Sequence, residues 1–404
     1  MTTPPRHDVI IIGGLGHVGL PLGIALADTG LAVGLYDIDE SRRSTVEAGR
    51  MPFIEYDAEP ILRRVIGKQL TFVSSLEAVR RSTCVIITVG TPLDEHFNPR
   101  MTGIFRVAEQ LLQHLQPAHQ VILRSTVYPG TTQKMAAFFA QHGLRVHVSC
   151  CPERIAQGYA IRELRKLPQL VSGFSDEAVA YAEALFRRLE VPTTALSVQE
   201  AELTKLFSNA WRYIQFATAN QFYMIASESG ADFHKIHNAM TSGYDRAGDF
   251  PKPGFAAGPC LLKDTMQLAA FHRGSFQLGQ ASMLINEGLP NFLVTELAKR
   301  RSLTNLPVGI LGMAFKADID DIRDALSYKL RKQLQFAGAQ VLCSDDYVAD
   351  PAFVTKEALI ERSRVIFIGV PHAQYRELTF PPATEVVDLW GLYQRREEKV
   401  VVDA

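Results

Sequence analysis

No surplus of charge marks this chain for a charged partner. Its formal net charge is −1 over 404 residues, so bulk electrostatics suggest neither nucleic acid nor an anionic membrane surface. No apolar run approaches the ~18 residues needed to span a bilayer. The opening "MTTPPRHD" is polar and runs straight into a strand-like segment, unlike a signal peptide. Cysteine is scarce and unpatterned. Cys84, Cys150, Cys151, Cys260 and Cys343 are odd in number and form no CxxC pair, which argues for reduced thiols over a disulfide frame or zinc site. No His/Cys/Asp cluster has ligand spacing, so no metal is expected. Internal repeats and low-complexity tracts are absent as well. Together these absences make a cytoplasmic protein the expectation.

What is present reads as a soluble globular protein, 47% hydrophobic and 21% charged. The length exceeds one ordinary core and suits two or three domains. Strand-like runs "DVIIIGG" (8–14), "LAVGLYD" (31–37), "TCVIITVGT" (83–91), "QVILRST" (120–126) and "RVHVSCCP" (145–152) alternate with helical stretches such as "VAEQLLQHL" and "TTQKMAAFFAQHG". That alternation predicts a parallel sheet with helices on both faces. From Val198 to Gly230 the chain has no proline and no internal glycine, which predicts one long helix whose length needs a covering partner. A second α/β unit begins near Leu306, with strands in "LPVGILGMAF", "VLCSDDY" and "RVIFIGVPH" and a helix in "SYKLRKQLQFAGAQ". The expected fold class is α/β: two Rossmann-like α/β domains joined by a helical domain with one long central helix. The boundaries drawn are 1–196, 197–302 and 303–404.

"IIGGLGHVGLPLGIALADTG" places Gly14, Gly16 and Gly19 as GxGxxG after an apolar strand and at the opening of a helix. The next strand ends in Asp37. A bare GxGxxG says little, but this context is what dinucleotide binding requires. The glycines admit a pyrophosphate to the backbone, the helix N-terminus stabilises its charge, and the carboxylate takes the adenosine ribose. Asp37 favours NAD over NADP, with Arg42 and Arg43 close enough to leave NADP open. Thr91 and Thr126 end two later strands of the same sheet, where such ligands lie. The second α/β unit has "ILGMAFK" and no GxGxxG, which suggests a nucleotide or nucleotide sugar there instead.

Between these units stands "GFAAGPCLLKD" (254–264). A small buried cysteine at an ordinary helix start would account for it. Alternatively, with Pro259 or Cys260 in the first turn of a helix, the helix dipole and Lys263 would stabilise a Cys260 thiolate. Asp264, four residues on, would share the sulfur's face. A thiolate beside a carboxylate suits acyl-enzyme chemistry, one attacking and the other activating water. Combined with NAD this gives a double oxidation, alcohol to aldehyde to thioester to acid. Lys205 and Asn209, spaced i, i+4 on the long helix, are either a solvated face or a pair stabilising alkoxide charge. Glu153 after its strand is either a general base or a surface ion-pair partner.

Those residues, in order, resemble the UDP-glucose/GDP-mannose dehydrogenase family across essentially the whole chain. The likeness runs through "GLGHVGLPL", "VGTPLD", "RSTVYPGTT", "CPERIAQG", "ELTKLFSNAWRYIQFATAN", "AGPCLLKD", "GMAFKADIDDIRD" and "VPH". It implies NAD-dependent four-electron oxidation of a nucleotide sugar at C6 to the uronic acid, of the kind used in polysaccharide biosynthesis. Cys260 falls on the nucleophile, Asp264 on the water-activating acid, Lys205 and Asn209 on the oxyanion pair, and Glu153 on the catalytic glutamate. Thr126 falls beside cofactor and water. His17 and Val18 join the cofactor site with the three glycines, Asp37, Thr91 and Arg323. Arg154, Phe255, Gly258 and Lys316 fall among the substrate contacts, and Arg246 where an arginine reaches across a homodimer interface formed by the central helical domain. Departures are Gly258-Pro259 before the thiol, and Gln157 in place of a carboxylate. With "PER" they leave the sugar open, N-acetylhexosamine slightly ahead of glucose. Two other readings stay open: a two-electron hydroxyacid dehydrogenase, and a non-catalytic nucleotide-sugar-binding protein.

Overall fold

Alternate side chains of one buried strand feed two separate cores. In the computed structural model, which describes residues 7–393, the first strand β1 (His7–Ile12) sends Val9 and Ile11 to one cluster and Ile10 and Ile12 to the other. A strand covered on both faces has no polar side to show, which is why its sequence is a continuous apolar run rather than an alternating one. Residues 1–6 and 394–404, to which the expected domain boundaries extend, lie outside the described residues.

The chain divides into two units. Unit 1 comprises residues up to Asn209 and Lys263–Ser275, and unit 2 comprises Ala210–Leu262 and the chain from Phe276 onward. Unit 1 holds β1, β2 (Val33–Tyr36), β3 (Leu70–Phe72), β4 (Ser82–Ile87), β5 (Gln120–Leu123) and β6 (His147–Cys150) in a parallel sheet of order β3-β2-β1-β4-β5-β6. Strand order reverses beside β1, opening a crevice at the strand C-termini. A separate parallel pair, β7 (Gln169–Val171) and β8 (Thr193–Ala195), follows. Unit 2 holds a second parallel sheet, order β10-β9-β11-β12, from β9 (Pro307–Leu311), β10 (Gln340–Ser344), β11 (Val365–Ile368) and β12 (Glu385–Val387). Strands β3, β7, β8 and β12 escaped the sequence reading because three residues are too few to show a period.

The long helix runs Val198–Glu228, 31 residues. Ser197 and Glu200 start it with a reciprocal capping box: the Ser197 Oγ accepts from the Glu200 amide at 3.3 Å, and the Glu200 carboxylate from the Ser197 amide at 2.8 Å. Gly230 ends it in a left-handed conformation, φ +74°, that side chains avoid. The helix after the thiol runs Leu261–Phe271. This corrects the expected register, since Pro259 and Cys260 form the turn before the helix and not its first turn. Among the described residues no helix is long and apolar enough to cross a membrane.

Candidate active site

In unit 1 the glycine-rich turn links β1 to the helix Gly19–Asp28. A Cβ on Gly19 would stand 2.3 Å from the Gly13 carbonyl oxygen and 2.7 Å from the Thr88 hydroxyl, so only glycine lets helix and strand approach this closely. At Gly16 the nearest atom would be 3.5 Å away, leaving that side of the turn open. No side chain caps the helix, so its first-turn N–H groups are not taken by a cap. Asp37 accepts from the Leu15 amide at 2.8 Å and the Asp39 amide at 3.1 Å. Arg42 turns towards the same place, donating to the Leu15 carbonyl at 3.3 Å, whereas Arg43 pairs with Glu47 at 2.9 Å. His17 and Val18 are half-buried, the His17 ring lying 3.9 Å from the Phe53 ring centroid. An open, uncapped turn with a carboxylate at the next strand end fits a dinucleotide.

A chain of buried polar contacts lies among the strand ends and the adjoining helices of the same unit. Lys205 donates to Glu153 at 2.8 Å, the side chains being 5% and 9% exposed. Burial works against a charged Glu153, but the Lys205 ammonium and the Arg124 guanidinium outweigh it and hold the carboxyl below the usual carboxylate range. Asn209, one turn further along the long helix, donates to Asp264 at 2.6 Å. Asp264, itself fully buried, also accepts from the Lys263 ammonium, which reaches the Thr91 hydroxyl at 3.5 Å. Thr91 in turn donates to the Thr126 carbonyl at 2.6 Å. Lys263, expected to support the thiolate, is thus engaged by Asp264 and Thr91.

Two residues that sequence reasoning passed over hold this arrangement. Glu202, 2% exposed, accepts from the Gly130 and Thr132 amides at 2.6 and 2.9 Å and from the Thr132 hydroxyl at 2.6 Å. It ties the long helix to the start of the helix Thr131–Gln141, a favourable place for an anion. Glu202, Lys205 and Asn209 recur every three to four residues, a signal that was there to be read as a buried polar face. Arg124, 1% exposed, donates to the Cys151 carbonyl at 2.9 Å and Gln169 Oε1 at 2.8 Å, with its guanidinium 4.7 Å from the Phe186 centroid. Arg154, expected at the substrate, gives its guanidinium to the Pro168 carbonyl at 2.7 Å.

In unit 2, Cys260 is exposed, whereas the other four cysteines are buried. Its sulfur lies within electrostatic reach of the Arg323 guanidinium, which Asp321 holds at 2.9 and 2.5 Å from its Nε and Nη2. Gly258 adopts φ +96°, and the Phe315 ring occupies the place a Cβ would take, 2.5 Å away. Phe255 is buried in a cluster with Leu289, Leu293 and Leu297. Lys316 is half-buried in the loop after β9; Arg246 is exposed, 5.8 Å from the Tyr244 ring centroid.

Comparison with known proteins follows the same lines. Residues 8–190 match the NAD binding domain of the UDP-glucose/GDP-mannose dehydrogenase family, 199–287 its central domain and 309–404 its UDP binding domain. The chain is 27% identical over 389 residues to a UDP-N-acetyl-D-mannosamine dehydrogenase of Pyrococcus horikoshii, covering 92% of this chain and 91% of that one. It is 27% identical over 347 residues to a UDP-glucose 6-dehydrogenase of Bacillus subtilis, 83% and 79% covered. The structure of a UDP-glucose dehydrogenase from Pyrobaculum islandicum superposes with a TM-score of 0.87 at 26% identity, covering 99% of this chain and 98% of that one. With its open glycine turn, its buried lysine–glutamate pair and all three domains matched, this chain belongs to the UDP-glucose/GDP-mannose dehydrogenase family, whose cofactor is NAD.

Proposed function

We propose that this protein oxidises the C6 hydroxymethyl of a UDP-sugar to the uronic acid in two hydride transfers, with Cys260 carrying the sugar between them. The observation that carries the reading is the accessible Cys260, four residues before a buried Asp264 that is hydrogen-bonded to Asn209. A two-electron dehydrogenase has no use for that thiol.

Bound NAD supplies the hydride acceptor. In the first oxidation a hydride leaves C6 for that acceptor while the hydroxyl proton passes by way of the Asp264 carboxylate to water, leaving an aldehyde. The Cys260 thiolate adds to the aldehyde carbon, and the thiohemiacetal oxygen is stabilised by the Lys205 ammonium and the second amide hydrogen of Asn209. Loss of a second hydride gives a thioester. Water, its proton accepted by Asp264, cleaves the carbon–sulfur bond and returns the thiol. Glu153 is assigned here to orienting Lys205. A carboxyl held below its usual range binds a proton weakly, so the ion pair argues against the general-base role expected from sequence. Thr91 and Thr126 wall the cofactor, and Lys316 and Arg246 are assigned to the nucleotide sugar.

N-acetylhexosamine is placed ahead of glucose, because "PER" at 152–154 departs from the glucose-type pattern. A homodimer through the long helix is supported by Phe207, Trp211, Phe222 and Ile225, which share one side of that helix and are 54%, 60%, 42% and 55% exposed. Five scattered cysteines without a CxxC pair support a reducing, cytoplasmic setting. The product would be an activated uronic acid of the kind polysaccharide synthesis consumes.

The test is NADH formed per sugar consumed at limiting UDP-glucose, UDP-N-acetylglucosamine, UDP-N-acetylmannosamine or GDP-mannose. Two NADH per sugar with a UDP-sugar establish the double oxidation. One NADH makes the enzyme a two-electron dehydrogenase, and no turnover with any of the four removes the assignment.

A further inference from the structure

The segment carrying the thiol has almost no regular structure, yet it is held closely. Residues 251–257 belong to no helix or strand. A side-chain amide replaces the missing backbone ladder. Asn220 on the long helix is fully buried. Its Nδ2 donates to the Gly254 carbonyl at 3.0 Å, and its Oδ1 accepts from the Gly254 amide at 2.9 Å. The second Nδ2 hydrogen goes to Asn286 Oδ1 at 2.8 Å, and Asn286 donates onward to the Tyr213 carbonyl at 3.0 Å. On the other side of Gly254 lies the Trp390 indole, 2.0 Å from where a Cβ would be. A second anchor follows at Gly258, whose amide donates to the Asp324 carbonyl at 3.3 Å.

We propose that Asn220 is a positioning residue for the Cys260 thiol, clamping at Gly254 the loop that carries it. The inference rests on the reading of Cys260 as the nucleophile. Every hydrogen-bonding group of the Asn220 amide is used. Two of its bonds grip the peptide groups on either side of the Gly254 Cα, which fixes orientation as well as position. Between the anchors Phe255 and Ala256 are 5% and 2% exposed, so the loop has little freedom to rotate. Cys260 follows the second anchor by two residues. Small misplacements of a reacting group cost rate steeply, and a thiol moved away from a guanidinium loses thiolate character at neutral pH.

Because the other four cysteines are buried, iodoacetamide on the folded protein reads Cys260. Asn220→Asp keeps the acceptor for the Gly254 amide and loses both donated bonds. Asn286→Asp is the matched control: it also buries a carboxylate in this network, but leaves the grip on Gly254 intact. For Asn220→Asp, kcat and the alkylation rate at pH 7 are expected to fall together, each about 10- to 100-fold, with NAD affinity unchanged. The control should keep both near the wild-type values. Asn220→Ser, which adds no charge, takes the same measurements if the aspartate variant does not fold. Wild-type kcat and alkylation in a folded Asn220 variant overturn the proposal, as does an equal loss in Asn286→Asp, which would mark general loosening. Acid formation by Cys260→Ala would instead remove the nucleophile reading and leave the role of Asn220 without its premise.

Discussion

Lys205 and Glu153 form an ion pair at 2.8 Å with both side chains withdrawn from solvent. Such a pair is held by its geometry, and removing one partner strands a buried charge at a cost of about 3–5 kcal/mol. Glu153→Gln is therefore expected to lose about 3 kcal/mol of unfolding free energy at pH 7 and most of the activity. The pH dependence has a definite sign. The folded Glu153 carboxyl titrates below its unfolded value, so its contribution is fully present above roughly pH 4.3 and fades as pH falls through the lower, folded value. Denaturant titrations should show wild type and variant converging under acid. A gap constant with pH would mean that Glu153 is not charged in the native state.

Cys260→Ala should abolish net acid formation while leaving NAD affinity unchanged. The substitution changes no residue of the glycine turn proposed for the dinucleotide, so the turn keeps all its contacts. NAD titration with product analysis checks both halves. Normal acid production by this variant would remove the thioester route.

Two glycines of one fingerprint should fail differently. Gly19→Ala forces a methyl against the Gly13 carbonyl and the Thr88 hydroxyl, an overpacking worth about 1–3 kcal/mol that thermal unfolding would show. Gly16→Ala meets nothing closer than 3.5 Å, so the protein should fold normally and bind NAD more weakly, because the methyl takes space meant for the pyrophosphate. Undiminished NAD affinity in Gly16→Ala would place the dinucleotide elsewhere.

Asp37→Ala should weaken NAD much more than the sugar nucleotide. The loss has two sources: the ribose acceptor itself, and the 2.8 Å bond by which Asp37 holds the Leu15 amide in the glycine turn. Calorimetric titration with each ligand separates the two sites, and equal weakening of both would misplace the cofactor.

Trp211 is 60% exposed on the long helix, on the side shared with Phe222 and Ile225. Trp211→Glu should shift the sedimentation behaviour from dimer to monomer. A wild-type chain that sediments as a monomer at micromolar concentration would rule out this interface.

What the sequence determined by itself was local. Apolar runs of β1, β4 and β5 announced a sheet buried on both faces, because side-chain alternation leaves no polar side when both faces are covered. The glycine turn and Asp37 were legible because their chemistry depends on spacing within one βαβ unit. The long helix was legible because nothing inside it could end a helix before Gly230. The tertiary structure decided which groups meet. Lys205 read equally well as a solvated lysine until the chain brought it to Glu153, 52 positions away. Asn209 meets Asp264 across 55 positions, and Asn220 meets Gly254 across 34. No periodicity encodes such pairs, since a charged or amide side chain gives the same local signal in water as when buried against a partner. What distinguishes them is desolvation, and only the packed structure shows which polar groups have lost their water and what replaces it.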